Sequence, residues 1–277
     1  MAIPGAKIKL VGADNGKYER ETFVDSVLLG PSERAVVDVL FDTSGMYTIE
    51  HRTPEKTYTM GKINITPDAV DTSYKSQFLT LRTNNDIRKA VPNLDSYFSK
   101  SDDKRLSLTV DTGSMNMSGG HMMPDSTMMG GGGIAMRGSD TKKIEWEDSM
   151  QDMSKGMNQM ADANMIKWKI VDQDTSKSGN DINWNFKIGD KVKIRIFNDP
   201  SSPHPMQHPI HFHGQKFLIL STNGVRNDNL VWKDTTLIQK KDTVEILVDM
   251  ENPGTWMAHC HIAEHLEAGM MMNFRVE

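Results

Sequence analysis

Cysteine is almost absent from this sequence: Cys260 is the only one in a chain of 277 residues. A single thiol closes no disulfide within the chain, and it excludes every zinc site that needs two or more thiolates. Long apolar runs are missing as well. Hydrophobic residues make up 37% and charged residues 25%, and no stretch approaches the ~18 apolar residues of a membrane-spanning helix, so no membrane span is expected. Nor is there a surplus of positive charge. With 32 Lys+Arg against 37 Asp+Glu the formal net charge is −5, which argues against nucleic acid as a partner, because phosphate binding leans on a basic surface. Met1 to Leu10 show no basic segment followed by an apolar one, so no signal peptide is visible and the compartment stays unknown from this end.

Methionine, in contrast, is abundant: the chain has 21, and 12 of them fall between Met115 and Met165. A length of 277 gives room for roughly two domains at about 150 residues each. Residues 1–65 read as short strands, with Lys7–Val11 ending at the turn Ala13-Asp14-Asn15-Gly16, then Arg34–Phe41 and Met46–His51. These are too few to close a β-sandwich, which takes about seven strands. Residues 66–104 are polar and charged, with a helix cap at Asn84-Asn85-Asp86 and a breaker at Pro92, and read as a connecting segment.

From residue 105 to 277 the strand pattern resumes in Arg105–Asp111, Ile166–Val171, Ile182–Phe186, Lys191–Phe197, Phe217–Leu220, Thr243–Val248 and Met270–Val276, enough for a complete sandwich. Lys191–Phe197 alternates most clearly, Val192, Ile194 and Ile196 facing a core and Lys191, Lys193 and Arg195 facing water. Between the first two of these strands lies the methionine-rich insert, residues 115–165. Its run Gly130-Gly131-Gly132-Gly133 reads as a loop. Met150, Met153, Met157 and Met160 share one side of an expected helix starting near Asp148. That stripe serves equally as core packing or as a Cu(I) site, since thioethers are soft ligands; Met115, Met117, Met122, Met123, Met128 and Met129, set among Gly, Ser, Asp and Asn, tip the balance to copper.

Six of the nine histidines crowd into two short segments, His208-Pro209-Ile210-His211-Phe212-His213-Gly214 and His259-Cys260-His261-Ile262-Ala263-Glu264-His265, the second followed by Gly269-Met270. A thiolate, two imidazoles and a weak axial thioether form the ligand set of a blue-copper site, and Cys260, His265, Met270 and one distant histidine supply it. Zinc is disfavoured, since its sites rarely recruit a thioether. Strand alternation turns His259 and His261 away from Cys260, toward a second site, and puts His211 and His213 on one face. Four imidazoles in two such pairs look like part of a multinuclear copper cluster wired to the thiolate through adjacent peptide bonds. The scattered His51, His121 and His204 read as structural.

These residues resemble the C-terminal copper motifs of the multicopper oxidases, the family of laccases, ascorbate oxidase and bacterial cuprous oxidases. The resemblance implies an all-β, cupredoxin-like Greek-key β-sandwich. It makes His208, Cys260 and His265 type 1 copper ligands with Met270 axial, His211 a type 2 ligand, and His213, His259 and His261 type 3 ligands. It implies one-electron oxidation of a phenol or Cu(I) at the type 1 copper. Electrons then pass from Cys260 through His259 and His261 to a trinuclear cluster that reduces dioxygen to water. It continues through Val231-Trp232-Lys233-Asp234-Thr235 and Asn252-Pro253-Gly254-Thr255-Trp256-Met257. Residues 1–65, with Leu29-Gly30-Pro31-Ser32-Glu33-Arg34-Ala35, are similar to the latter half of the family's middle domain, so a partial domain precedes the complete one at 105–277.

In the family, further His-x-His pairs complete the trinuclear cluster, and only His51 and His121 precede residue 200 here. The expectation is a C-terminal portion that needs a missing N-terminal domain or a partner chain, inactive in oxygen reduction alone. The other reading is a blue-copper electron-transfer module. Leu266 stands where many bacterial relatives carry a proton-delivering acid, with Glu264 and Glu267 nearby. Asp234 looks exposed, either orienting substrate near the blue site or ending a strand. Relatives are usually periplasmic or extracellular.

Overall fold

The computed structural model describes residues 1–68, 70–111, 144–146, 167–202 and 205–277. His121, His204, the glycine run 130–133 and the helix expected for Met150, Met153, Met157 and Met160 lie outside the described residues.

The first strands are β1 (Lys7–Ala13), β2 (Gly16–Val24) and β3 (Ala35–Leu40), forming an antiparallel sheet in the order β2-β1-β3. β4 (Gly45–Arg52) pairs with β5 (Thr57–Ile65) in a two-stranded ribbon. Ile3, Ile8 and Tyr47 make the small core between them. β2 and β5 escape a hydrophobic reading of the sequence because charged and polar residues run through them, as in Lys17-Tyr18-Glu19-Arg20-Glu21.

Residues 66–104 hold three short helices, α1 (Lys75–Leu79), α2 (Asp86–Ala90) and α3 (Leu94–Ser99). The side-chain oxygen of Asn84 accepts the Asp86 N–H at 3.0 Å, and the helix stops at Val91, ahead of Pro92. Ile87, Val91 and Leu94 pack onto Leu218, Leu220, Leu247 and Trp232.

Among the described residues, eleven further strands build the two sheets of a β-sandwich, as the cupredoxin-like pattern requires. One sheet takes the order β12-β11-β14-β9-β6-β7, from β6 (Lys104–Asp111), β7 (Lys167–Asp172), β9 (Lys191–Asn198), β11 (Lys216–Thr222), β12 (Val225–Arg226) and β14 (Thr243–Asp249). The other takes β13-β10-β15-β16-β8, from β8 (Trp184–Phe186), β10 (His208–Phe212), β13 (Thr235–Ile238), β15 (Gly254–Cys260) and β16 (Met271–Val276). A last short helix, α4 (Ala263–Glu267), follows β15. The main core between the sheets includes Ile194, Ile196, Phe212, Phe217, Ile246 and Phe274.

One expectation fails on β9. Lys193 does not face water; it is 2% exposed. β9 lies inside its sheet, between β14 and β6, and the segment that follows α3 covers its outer face. There the Lys193 ammonium meets Glu245 at 3.0 Å and donates to the carbonyl of Lys100 at 2.9 Å. A buried ammonium persists only with such partners.

Candidate metal centre

β10 and β15 run antiparallel with Ile210 opposite Cys260 and His211 opposite His259. Opposed residues share a face of a sheet and successive residues alternate. His208, Ile210 and Cys260 therefore turn into the sandwich, where they are 1%, 1% and 0% exposed. His211 and His259 turn to the opposite face.

On the inner face the Cys260 thiol and the Nδ1 atoms of His208 and His265 converge. Sγ lies 3.7 Å from His208 Nδ1 and 3.5 Å from His265 Nδ1, and the two nitrogens are 3.2 Å apart. Their ligand atoms lie close enough together to hold one metal ion between them. The chain reaches them in a tight loop. His265 sits on α4, Gly269 takes a left-handed φ of +102°, and Met270 then donates its N–H to the His265 carbonyl while its own carbonyl accepts the Cys260 N–H, at 2.9 and 3.0 Å. The Met270 side chain is fully buried. Trp168 stacks on the His265 ring with centroids 3.8 Å apart. Burial pushes the Cys260 thiol up to about 12. A soft sulfur and two imidazole nitrogens converging in a dry site suit a soft cation, whose charge offsets that cost of the thiolate.

On the outer face four imidazoles cluster. Ring centroids lie 4.6 Å apart for His211 and His213, 5.1 Å for His213 and His259, and 5.4 Å for His259 and His261. His213 Nε2 and His259 Nε2 approach to 2.9 Å. Hydrogen bonds settle the tautomers of two rings. His259 Nδ1 donates to the Cys260 carbonyl at 2.7 Å, and His211 Nδ1 donates to the Asp234 carbonyl at 3.0 Å. A carbonyl oxygen only accepts, so both protons sit on Nδ1 and each Nε2 keeps its lone pair. Burial holds both rings below the usual histidine range, in the neutral form that binds metals. His213 is half-buried and His261 exposed. Gly214, at φ +68°, lies flat under the Trp256 ring and turns the chain directly after His213.

Asp234 differs from its sequence reading. Its side chain is 13% exposed and belongs to the His211 side of the sheet, because β1–β3 covers it. Arg34 donates to both its carboxylate oxygens, at 2.7 and 2.5 Å, and Asn15 donates to one at 3.0 Å. Burial works against its charge, yet the hydrogen bonds from Arg34 and Thr235 outweigh it and hold the carboxyl at about 2. The sequence reading also missed Arg34, Asp14 and Thr235 as neighbours of this site. Arg34 and Thr235 stand in segments that carry the family resemblance, but no spacing rule joins residues about 200 positions apart, the separation of Arg34 from Asp234. Among the remaining candidates, His51 stacks on Tyr58 at 5.8 Å, and Glu264 and Glu267 are exposed on α4.

The multicopper oxidase family profile matches residues 148–277. Over 118 residues the chain is 33% identical to the multicopper oxidase mco of Staphylococcus aureus, covering 40% of this chain and 26% of that protein. Over 99 residues it is 30% identical to laccase-1 of Melanocarpus albomyces, covering 28% of this chain and 16% of that enzyme. The fold is similar to that of a multicopper oxidase from Campylobacter jejuni described as a metallo-oxidase, with a TM-score of 0.62 and 23% identity over 99% of this chain and 50% of that one. It is also similar to a variant of the McoA multicopper oxidase of Aquifex aeolicus, with a TM-score of 0.60 and 19% identity over 100% of this chain and 52% of that one. The chain thus spans about half the length of these solved proteins. The likeness to multicopper oxidases is thus carried by residues 148–277, at the C-terminal end of this chain.

Proposed function

We propose that this chain is the electron-accepting portion of a copper oxidase. His208, Cys260 and His265, together with Met270, would hold a type 1 copper; His211 would contribute to a type 2 site and His213, His259 and His261 to a type 3 site. The convergence of the Cys260 sulfur with two buried Nδ1 atoms carries this reading. Copper bound at these residues supplies one-electron chemistry between a reducing substrate and dioxygen, which is reduced to water.

The protein's own part is positioning. The sandwich keeps water from Cys260, and Trp168 holds the His265 ring. His259 is bonded to Cys260 twice, through the chain and through its Nδ1 hydrogen bond to the Cys260 carbonyl, so the two faces of the sheet are joined by the shortest available path. His261 extends the same path on the other side of the cysteine. The exposed edge at His261 supports completion of the cluster by imidazoles of an N-terminal domain or partner chain. The reductant is a phenol or Cu(I). The methionines at 115–165 favour Cu(I).

Anaerobic titration tests the reading. The copper-loaded chain is expected to lose its thiolate-to-Cu(II) colour on addition of Cu(I) or a phenol, one electron per coloured centre, and to show no sustained oxygen uptake alone. Failure of both reductants to bleach the colour, or steady uptake abolished by His261→Ala, contradicts it.

A further inference from the structure

Arg34 stands just ahead of β3, on the N-terminal sheet, and its guanidinium grips both oxygens of Asp234 from the far side of that side chain. Asp234 Oδ1 in turn accepts the hydroxyl of Thr235 at 2.9 Å. That leaves the Thr235 oxygen to accept from His211 Nδ1, also at 2.9 Å, beside the Asp234 carbonyl that the same nitrogen reaches. Behind this chain Asp14, whose side chain is fully buried, accepts the backbone N–H groups of Arg34, Asp234 and Thr235 at 2.7, 3.2 and 3.3 Å. One carboxylate thus pins the two segments that must meet.

We propose that Arg34 is a positioning residue for His211. Acting through Asp234 and Thr235, it orients the ring, keeps the proton on Nδ1 and presents the bare Nε2 to the imidazole cluster. The inference rests on the reading of His211 as a copper ligand.

The chemistry favours an arginine in this role. A guanidinium binds a carboxylate through two parallel hydrogen bonds, which fixes the plane of the carboxylate as well as its place. With that plane set, one oxygen is aimed at the Thr235 hydroxyl, so the hydroxyl proton points away from His211 and the lone pair points toward it. A lysine would supply the charge without the plane. Outer hydrogen bonds of this kind fix the tautomer of a ligating histidine and raise its basicity, and their loss costs about 10- to 100-fold in metal affinity. The consequence is that the N-terminal sheet holds a ligand of the other domain's cluster in register, although it supplies no ligand of its own among the described residues.

The test uses the full 277-residue chain with Arg34→Met and Arg34→Lys, the second preserving the charge in case the first fails to fold. Nitrogen NMR of the imidazoles in the metal-free protein reads the tautomer of His211. Copper titration reads affinity at the imidazole cluster separately from the coloured Cys260 centre. Arg34→Met is expected to populate the Nε2-protonated tautomer of His211 and to weaken cluster copper at least about tenfold, leaving the coloured centre unchanged. Arg34→Lys should give the same change to a smaller degree. A tautomer and an affinity both like wild type in a folded Arg34 variant overturn the inference, even if thermal stability falls, because a purely structural clamp would do that. His211→Ala serves as the separate check on the underlying reading: undiminished cluster copper there contradicts His211 as a ligand, while the NMR result still judges the role of Arg34.

Discussion

His211 and His259 stand opposite one another across β10 and β15, on the face of the sheet away from Cys260. The two candidate centres are therefore back to back, one inside the sandwich and one outside it. A slip of one residue between the strands would send the imidazoles into the core and the thiol out. Ile210, Phe212 and Ala258, each 1% exposed, prevent that slip by filling the core on the Cys260 side.

Gly214 fixes the turn after His213. Its φ of +68° is in the left-handed region, and a β-carbon there would overlap the Trp256 ring. Gly214→Ala is expected to cost roughly 1–3 kcal/mol for the backbone alone, with the steric overlap in addition. Denaturant unfolding of the metal-free chain measures this. A midpoint equal to wild type would mean the turn is not built in this way.

Acid should loosen the N-terminal sheet through Glu21. Burial opposes its charge, but hydrogen bonds from Arg82, one of them from Nε at 2.6 Å, and from the buried Lys9 at 3.1 Å prevail and lower its carboxyl from 4.5 to about 2. A folded-state value below the unfolded one means the stabilisation is complete above pH 4.5 and is lost as pH falls toward about 2. Urea unfolding across that window should show a slope that Glu21→Gln flattens. The same slope in the variant would assign the acid sensitivity to other carboxylates.

How much of this was legible beforehand follows from where the contacts lie. The candidate ligands are local: His259, Cys260, His261 and His265 fall within seven residues, and alternation along one strand already separates His259 and His261 from Cys260. β13 carries no apolar alternation that marks it as a strand, because two of its four residues are threonines. Lys193 was placed in water because nothing in β9 itself shows that the segment after α3 covers it. Asp234 was misplaced for a related reason. Its partners Arg34 and Asn15 come from the other end of the chain, and tertiary contacts of that range leave no periodic trace.

The methionines of residues 115–165 give a prediction from composition alone. Deleting residues 115–136 is expected to lower the number of Cu(I) ions the chain holds, and replacing Met150, Met153, Met157 and Met160 with leucine should lower it further at a stability cost below about 1.5 kcal/mol per site. Competition titration with a Cu(I) chelator measures both. Undiminished binding in both variants would reduce the segment to packing and loop.

The most direct measurement is the visible absorption of the copper-loaded chain with Cys260 and with Cys260→Ser. The thiol lies within 3.7 Å of two imidazole nitrogens on the inner face, while the imidazole cluster shares none of its side chains. The expected result is an intense thiolate-to-Cu(II) band in the wild-type chain that disappears in Cys260→Ser while copper still binds at the outer imidazoles. An unchanged band in the variant, or no band in either protein, would contradict the assignment of Cys260, His208 and His265 as a copper centre.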